Sequence, residues 1–304
     1  FYLNEERVEV LAPLSFVIGT GFYIFLLNVT SYFIPVLINF YLILFLLFLL
    51  GVMFKFFNKK KLLIIKSDLN KKMINLLSLT CFVIMFFSGF NAIRSIESDD
   101  LAWTHLPLAA TIAGGNLPVR DLAYPNKILA YHYGYNLFYG AISNITGLSV
   151  WFISDLNVFL LSGVIFLLLF LIAKLFIKND NKTYIVALVS FFGGSLSFIY
   201  LFTGIINLYK KFILHHTLPF SFKFLTQTWH PDFSFSVPLV QQLEIIWAPL
   251  GLSLMLVIIY LYFDFINSGI TRNKNFFIGL MGILLASLTL IFEYATLIIG
   301  LSVS

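Results

Sequence analysis

The chain has 304 residues, of which 60% are apolar and only 11% charged, and its mean hydropathy is +0.95. Soluble domains sit near half apolar and a quarter charged, so this composition excludes an ordinary water-soluble fold and specifies an integral membrane protein. The net charge of +5 falls largely on one stretch holding Lys59, Lys60, Lys61, Lys66, Lys71 and Lys72; the positive-inside rule accounts for it, and no nucleic-acid partner is expected.

Apolar runs of about 20 residues match a hydrocarbon core ~30 Å thick at 1.5 Å rise per residue. By length and freedom from charge they predict spanning helices at 10–29, 33–57, 73–93, 151–177, 183–203, 243–266 and 276–300. The ten-residue alternating segments of a membrane barrel do not occur. The fold class is therefore all-α, a polytopic membrane helix bundle, with a single transmembrane domain over 1–304. The break from Asn28 to Ile34 is short and predicts a tight hairpin between the first two spans. Cys81, the only cysteine, lies in an apolar run and forbids an intrachain disulfide or a cysteine-based metal site. FYLNEERVEV lacks a basic segment followed by an apolar one, so no cleavable signal is read there. The chain opens on Phe1 and stops at Ser304 directly after a hydrophobic run; the expectation is a piece of a longer protein.

Between the third and fourth of these spans lies the one polar region of note, an outer loop over 94–135 expected to carry the active site. Its sequence RSIESDDLAWTHLPLAATIAGGNLPVRDLAYPNKILAYHYGY gathers Asp99, Asp100, His105, Arg120, Asp121 and His132 among Trp103, Tyr124, Tyr131 and Tyr133. Asp99 and Asp100 read in two ways. A carboxylate just outside a membrane serves as a general base or a metal ligand, and charged groups near the bilayer are costly enough to need a purpose. Alternatively, Ser98 or Asp99 caps a short helix running over 99–113, although Pro107 weakens that helix. Such a helix is too short to span and is expected to lie along the membrane surface. His105, five residues past Asp100, does not share its face on a regular helix.

The segment 128–148, ILAYHYGYNLFYGAISNITGL, is long enough to cross but carries His132, Asn136 and Asn144. If it does not cross, the basic turns Lys174/Lys178/Lys182 and Arg272/Lys274 fall on the same side as the lysine cluster. The reading favoured is a juxtamembrane or re-entrant helix, with spanning as the alternative. An aromatic belt explains Tyr131, Tyr133 and Tyr135 but not His132 between them, which suits a phosphate or a sugar.

The second large loop, 204–242, holds His215, His216, Lys223, Trp229, His230 and Asp232. His230 and Asp232 superficially offer two metal ligands, but no third stands at a recognisable spacing, so no metal site is assigned. A divalent cation is compatible with the chain but not required. Glu293, inside the last apolar run, is a functional candidate because a carboxylate is rare there. No P-loop, dinucleotide fingerprint, nucleophile elbow or HExxH occurs, which argues against ATP hydrolysis and membrane metalloproteolysis.

The order of features from Ser95 to Trp151 resembles a known superfamily. An apolar span leads to an outer loop opening on Asp99-Asp100. Then come a short helix ending in Gly114-Gly115-Asn116-Leu117-Pro118, an Asp121…Pro125 turn and Tyr131-His132-Tyr133, with Thr146-Gly147-Leu148 closing an apolar stretch. This is similar to the C-type glycosyltransferases, multispanning enzymes that take sugars from polyprenyl-phosphate donors, and in particular to bacterial and archaeal members. The close match covers about 55 residues. It differs in placing two or three spans ahead of the acidic loop, where familiar members have one.

What the resemblance implies is a glycosyltransferase moving a sugar from a polyprenyl-phosphate-linked donor to an acceptor on the outer face of a prokaryotic cytoplasmic membrane. The catalytic base is then Asp99 or Asp100. His105, Arg120, Tyr131, His132 and His230 are the candidate substrate contacts, with the arginine on the lipid phosphate. A transporter or lipid flippase, and a non-catalytic membrane subunit of a larger assembly, are the competing classes.

Overall fold

The structure is a computed structural model and describes residues 7–57, 68–94, 105–130, 132–192, 248–267 and 274–292. Among the described residues the regular elements are all helices, and an isolated bridge joins Arg120 and Ile128. The helices are α1 (Val8–Ser31), α2 (Ile38–Phe57), α3 (Lys71–Arg94), α4 (Leu106–Ala113), α5 (Gly134–Thr146), α6 (Val150–Phe176), α7 (Asp180–Phe192), α8 (Ala248–Asn267) and α9 (Lys274–Ile291). Four of them, α1, α6, α8 and α9, are long and apolar enough to cross a membrane.

Local chemistry sets several boundaries. Asn70 accepts a hydrogen bond from the Met73 amide at 2.8 Å, Ser149 from Phe152 at 3.2 Å and Asn179 from Lys182 at 3.1 Å. Each is the N-cap arrangement that satisfies an otherwise unpaired helix-end donor. Gly147 ends α5 at φ 72°, in the left-handed region that glycine enters without strain. The second span begins later than its hydropathy suggests, at Ile38 rather than 33. Pro35 explains the delay, because the residue before a proline is pushed out of the helical region. The predicted hairpin between the first two spans is present, with Tyr32 to Leu37 as its turn.

The helices are arranged so that the ends flanking three basic segments of the chain share one end of the bundle. There Arg7 pairs with Asp68 at 3.8 Å, and the Asp68 amide donates to Glu9. This puts the start of α1 beside the start of α3. Lys174 and Asp180 form an ion pair across the α6–α7 turn. Phe176 meets Phe263 edge-on, and Phe265 stacks on Phe277, which bring the ends of α6 and α8 and the start of α9 to the same level. The chain therefore enters and leaves 58–67, 177–179 and 268–273 at this end.

At the opposite end the finish of α1 meets the start of α5, where Tyr133 donates to Asn28 at 2.6 Å. Gly134 packs on Leu290 and Ile291 near the finish of α9, and Gly251 near the start of α8 lies against Ile291 and Phe292. Cys81 and Met85 on α3 meet Gly163 on α6, so α3 arrives at this end as α6 departs from it. Among the described residues between Arg94 and Val150 the helices are α4 and α5, both short. α5 has 13 residues and is about 20 Å long, well short of a ~30 Å core.

The packing is compatible with a multi-pass membrane protein. Phe33, Phe45, Phe48, Phe82 and Phe86 are exposed, while close helix contacts use small residues. Ser287 on α9 donates to the Gly21 carbonyl on α1 at 2.8 Å. The core runs through α1, α3, α6, α8 and α9, and a second cluster gathers α1, α2, α4 and α5 with the 117–133 loop.

Candidate functional site

The richest polar grouping lies at the end opposite the basic turns, where α4, α5 and α6 meet. It is built on a helix pair that hydropathy does not reveal. α4 and α5 run parallel, and one stripe of α5 reads out successive carbonyls of α4 at one per turn. Asn136 donates through Nδ2 to the His105 carbonyl at 2.7 Å, and Asn144 donates to the Ala113 carbonyl at 2.9 Å. Midway, Gly140 faces the Ala109 carbonyl so closely that a Cβ would stand 2.6 Å from that oxygen. Positions 136, 140 and 144 share a face of one helix, as 105, 109 and 113 do on the other. Because the helices are parallel, 114–133 must return along the length of α4.

That register brings the two sequence-predicted histidines together. The His105 and His132 rings are stacked with centroids 6.3 Å apart, and Tyr135 lies 5.2 Å from His105. His105 is 9% exposed, so it is buried rather than an interfacial histidine; His132 is half-buried. Tyr135 in turn meets Tyr139 edge-on at 5.9 Å. Tyr139 is fully buried and accepts a hydrogen bond from Asn157 of α6 at 2.7 Å. Burial pushes the Tyr139 hydroxyl well above the usual tyrosine range, an effect the Asn157 amide offsets in part and Asp155 reinforces. Tyr133 is raised in the same direction, by burial first and by neighbouring Tyr32 second. Both phenols are therefore neutral at pH 7.

Two buried atoms in this region stand out. Asn136 Oδ1 and Ser154 Oγ have no hydrogen-bond partner among the described residues, and their side chains are 1% and 2% exposed. A buried acceptor left open needs a water, an ion or a ligand to account for it.

Arg120 is exposed, and among the described residues its guanidinium donates to the Pro125 carbonyl at 3.3 Å. Asn116 brackets its backbone, donating to the Arg120 carbonyl and accepting from its amide at 3.1 Å each. Asp121 makes the turn read from the sequence, accepting from the amides of Ala123 at 2.7 Å and Tyr124 at 3.1 Å. Asp99, Asp100, Tyr131, His230 and Glu293 lie outside the described residues, as do 99–104 of the helix expected over 99–113; the described part of that helix is α4, from Leu106. Among the described residues no group of three or more His, Cys, Asp or Glu side chains could hold a metal.

Sequence reasoning missed Tyr139, Ser154, Asp155 and Asn157. The fourth span was drawn on its freedom from charge, yet Asp155 stands in its second turn and is half-buried. Ser154 and Asn157, three apart, share its buried face. A carboxylate and an amide near the start of an apolar span were the available signal. No protein-family model, no curated protein and no solved structure matches the chain.

Proposed function

We propose that the chain is a membrane-embedded glycosyltransferase that moves a sugar from a polyprenyl-phosphate-linked donor to an acceptor at the end of the bundle opposite the basic turns. The observation that carries this reading is the pairing of His105 with His132 beside the open acceptor of Asn136, at the mouth of a helix bundle. A lipid-linked donor has its headgroup at the interface and its tail in hydrocarbon, so its site must combine polar groups with membrane spans. In this reading Asp99 or Asp100, five or six residues ahead of His105 in the chain, removes the proton from the acceptor hydroxyl as the new glycosidic bond forms. The lipid phosphate departs with the electrons of the broken bond, and His105, His132 or Arg120 stabilises its charge. Tyr131 is assigned, as the resemblance implies, to contact with the sugar.

The test is direct. The full chain in lipid nanodiscs, given a polyprenyl-phosphate hexose, should release hexose to water or to an added polyol acceptor. The Asp99→Asn and Asp100→Asn variants tell which carboxylate acts. A protein that binds no polyprenyl phosphate at all would remove the reading.

The half-buried Asp155 at the start of α6 favours a second reading, a transporter that uses this acid for ion coupling. Movement of a labelled lipid phosphate between leaflets with no sugar release would select it.

A further inference from the structure

We infer that Asn136 is a substrate-binding residue whose open Oδ1 receives a hydroxyl of the transferred sugar. The inference rests on the transferase reading above and names a contact that neither the sequence nor the resemblance assigned.

The argument begins with what Asn136 and Asn144 have in common. Both stand on the same stripe of α5, and both donate Nδ2 to an α4 carbonyl. For joining the two helices they are equivalent. The bond to a carbonyl also fixes the amide orientation, since only the NH2 group can donate, so the oxygen of Asn136 points away from α4's carbonyl. That oxygen is buried and has no partner among the described residues, while Asn144 Oδ1 is not in that condition. If helix pairing were the whole purpose of Asn136, an apolar side chain would serve better, because an unsatisfied buried acceptor costs about 1–3 kcal/mol.

The position of the open acceptor says what it takes. Its own amide group is anchored through Nδ2 on the His105 carbonyl, and the His105 ring lies beside the rings of Tyr135 and His132. His132 is the more exposed of the two histidines. An amide oxygen accepts hydrogen bonds and offers nothing to a phosphate oxygen, so a bare anion is a poor occupant. A neutral polyol suits it, with one O–H donating to Asn136 and its carbon face against the aromatic rings. A site built to bond a hydroxyl rejects an analogue that lacks it, because the amide is then left unpaired.

The experiment compares two probes on the full chain in nanodiscs, a short polyprenyl phosphate and the same lipid carrying one hexose. The hexose-bearing probe should bind the native protein about tenfold more tightly, the scale of one buried hydrogen bond. In Asn136→Leu that preference should collapse to near parity. In Asn144→Leu, which removes the equivalent helix-joining bond, it should persist. A set of monodeoxy-hexose probes on the native protein makes the same test with no risk to folding, and one deoxy position should lose about tenfold. Equal binding of the two lipids, equal binding of all deoxy probes, or an unchanged preference in Asn136→Leu would overturn the inference and leave the transferase reading standing. Failure of the native protein to bind either lipid would overturn both.

Discussion

Asn144 repeats at Ala113 the bond that Asn136 makes at His105, eight residues apart on both helices. Two amides and the glycine between them hold α4 and α5 in parallel register. α5 is also tied to three other helices, through Tyr133 to Asn28 on α1, Tyr41 on α2 to the Asn144 carbonyl, and Tyr139 to Asn157 on α6. The position of His105 relative to His132 thus follows from packing well away from either ring.

The middle rung is the most sensitive to volume. A Cβ on Gly140 would meet the Ala109 carbonyl at 2.6 Å and Ile112 at 2.8 Å, and a backbone oxygen does not yield as a side chain does. Gly140→Ala should destabilise the protein by about 1–3 kcal/mol. Gly279→Ala, with nothing within 4 Å, should be neutral or slightly stabilising because alanine is the better helix former. Thermal unfolding of the two variants in detergent makes the comparison, and equal melting temperatures would contradict the ladder.

The buried bond between Tyr139 and Asn157 should behave as a coupled pair. Tyr139→Phe leaves the Asn157 amide buried without that acceptor and should cost about 1–3 kcal/mol. Adding Asn157→Leu should restore much of the loss, because no polar group is then stranded. Strictly additive losses would argue that the two side chains do not support each other.

Alkaline pH gives a further test. The Tyr133 and Tyr139 hydroxyls are raised above the ordinary tyrosine value of 10.0 in the folded state. Above that value the unfolded chain loses these protons while the folded one retains them, so stability should fall as pH rises past about 10. Tyr133→Phe should shallow the fall. Denaturation midpoints measured between pH 8 and 11 would show it, and an unaltered slope would count against the buried phenol.

Sidedness follows from the bundle ends. Cysteines placed at Ala123 and Lys178, with Cys81 replaced by Ser, should label from opposite faces of the membrane, Ala123→Cys from outside and Lys178→Cys only after permeabilisation. Labelling of both from one face would mean that α5 and its neighbours cross after all.

The chemical prediction concerns the acidic pair. Asp99→Asn or Asp100→Asn should lower turnover by ~10²–10⁴-fold with little change in donor affinity, as removal of a general base does. Arg120→Ala should instead weaken donor binding. Full activity in both Asn variants would return these residues to helix capping.

The sequence by itself determined the helical nature of its elements and the four helices long and apolar enough to cross a membrane. Transfer to hydrocarbon is nearly additive along a segment, so 20 apolar residues announce a helix whatever surrounds them. α1, α6, α8 and α9 were legible for that reason, and so was the Asp121 turn, whose bonds span three residues. Boundaries slipped where a local rule outranked hydropathy, as at Pro35. The lysine pattern hinted that 128–148 stays on one side, and what the tertiary structure adds is that the helix within it, α5, has 13 residues. The parallel pairing of α4 with α5 was not legible, since it depends on contacts 31 residues apart between side-chain amides and backbone carbonyls. Hydropathy carries no information about those partners. For the same reason Tyr139, Asn157 and Asp155 passed unnoticed in apolar surroundings, while His105 and His132, chosen for their chemistry alone, became neighbours only through the fold.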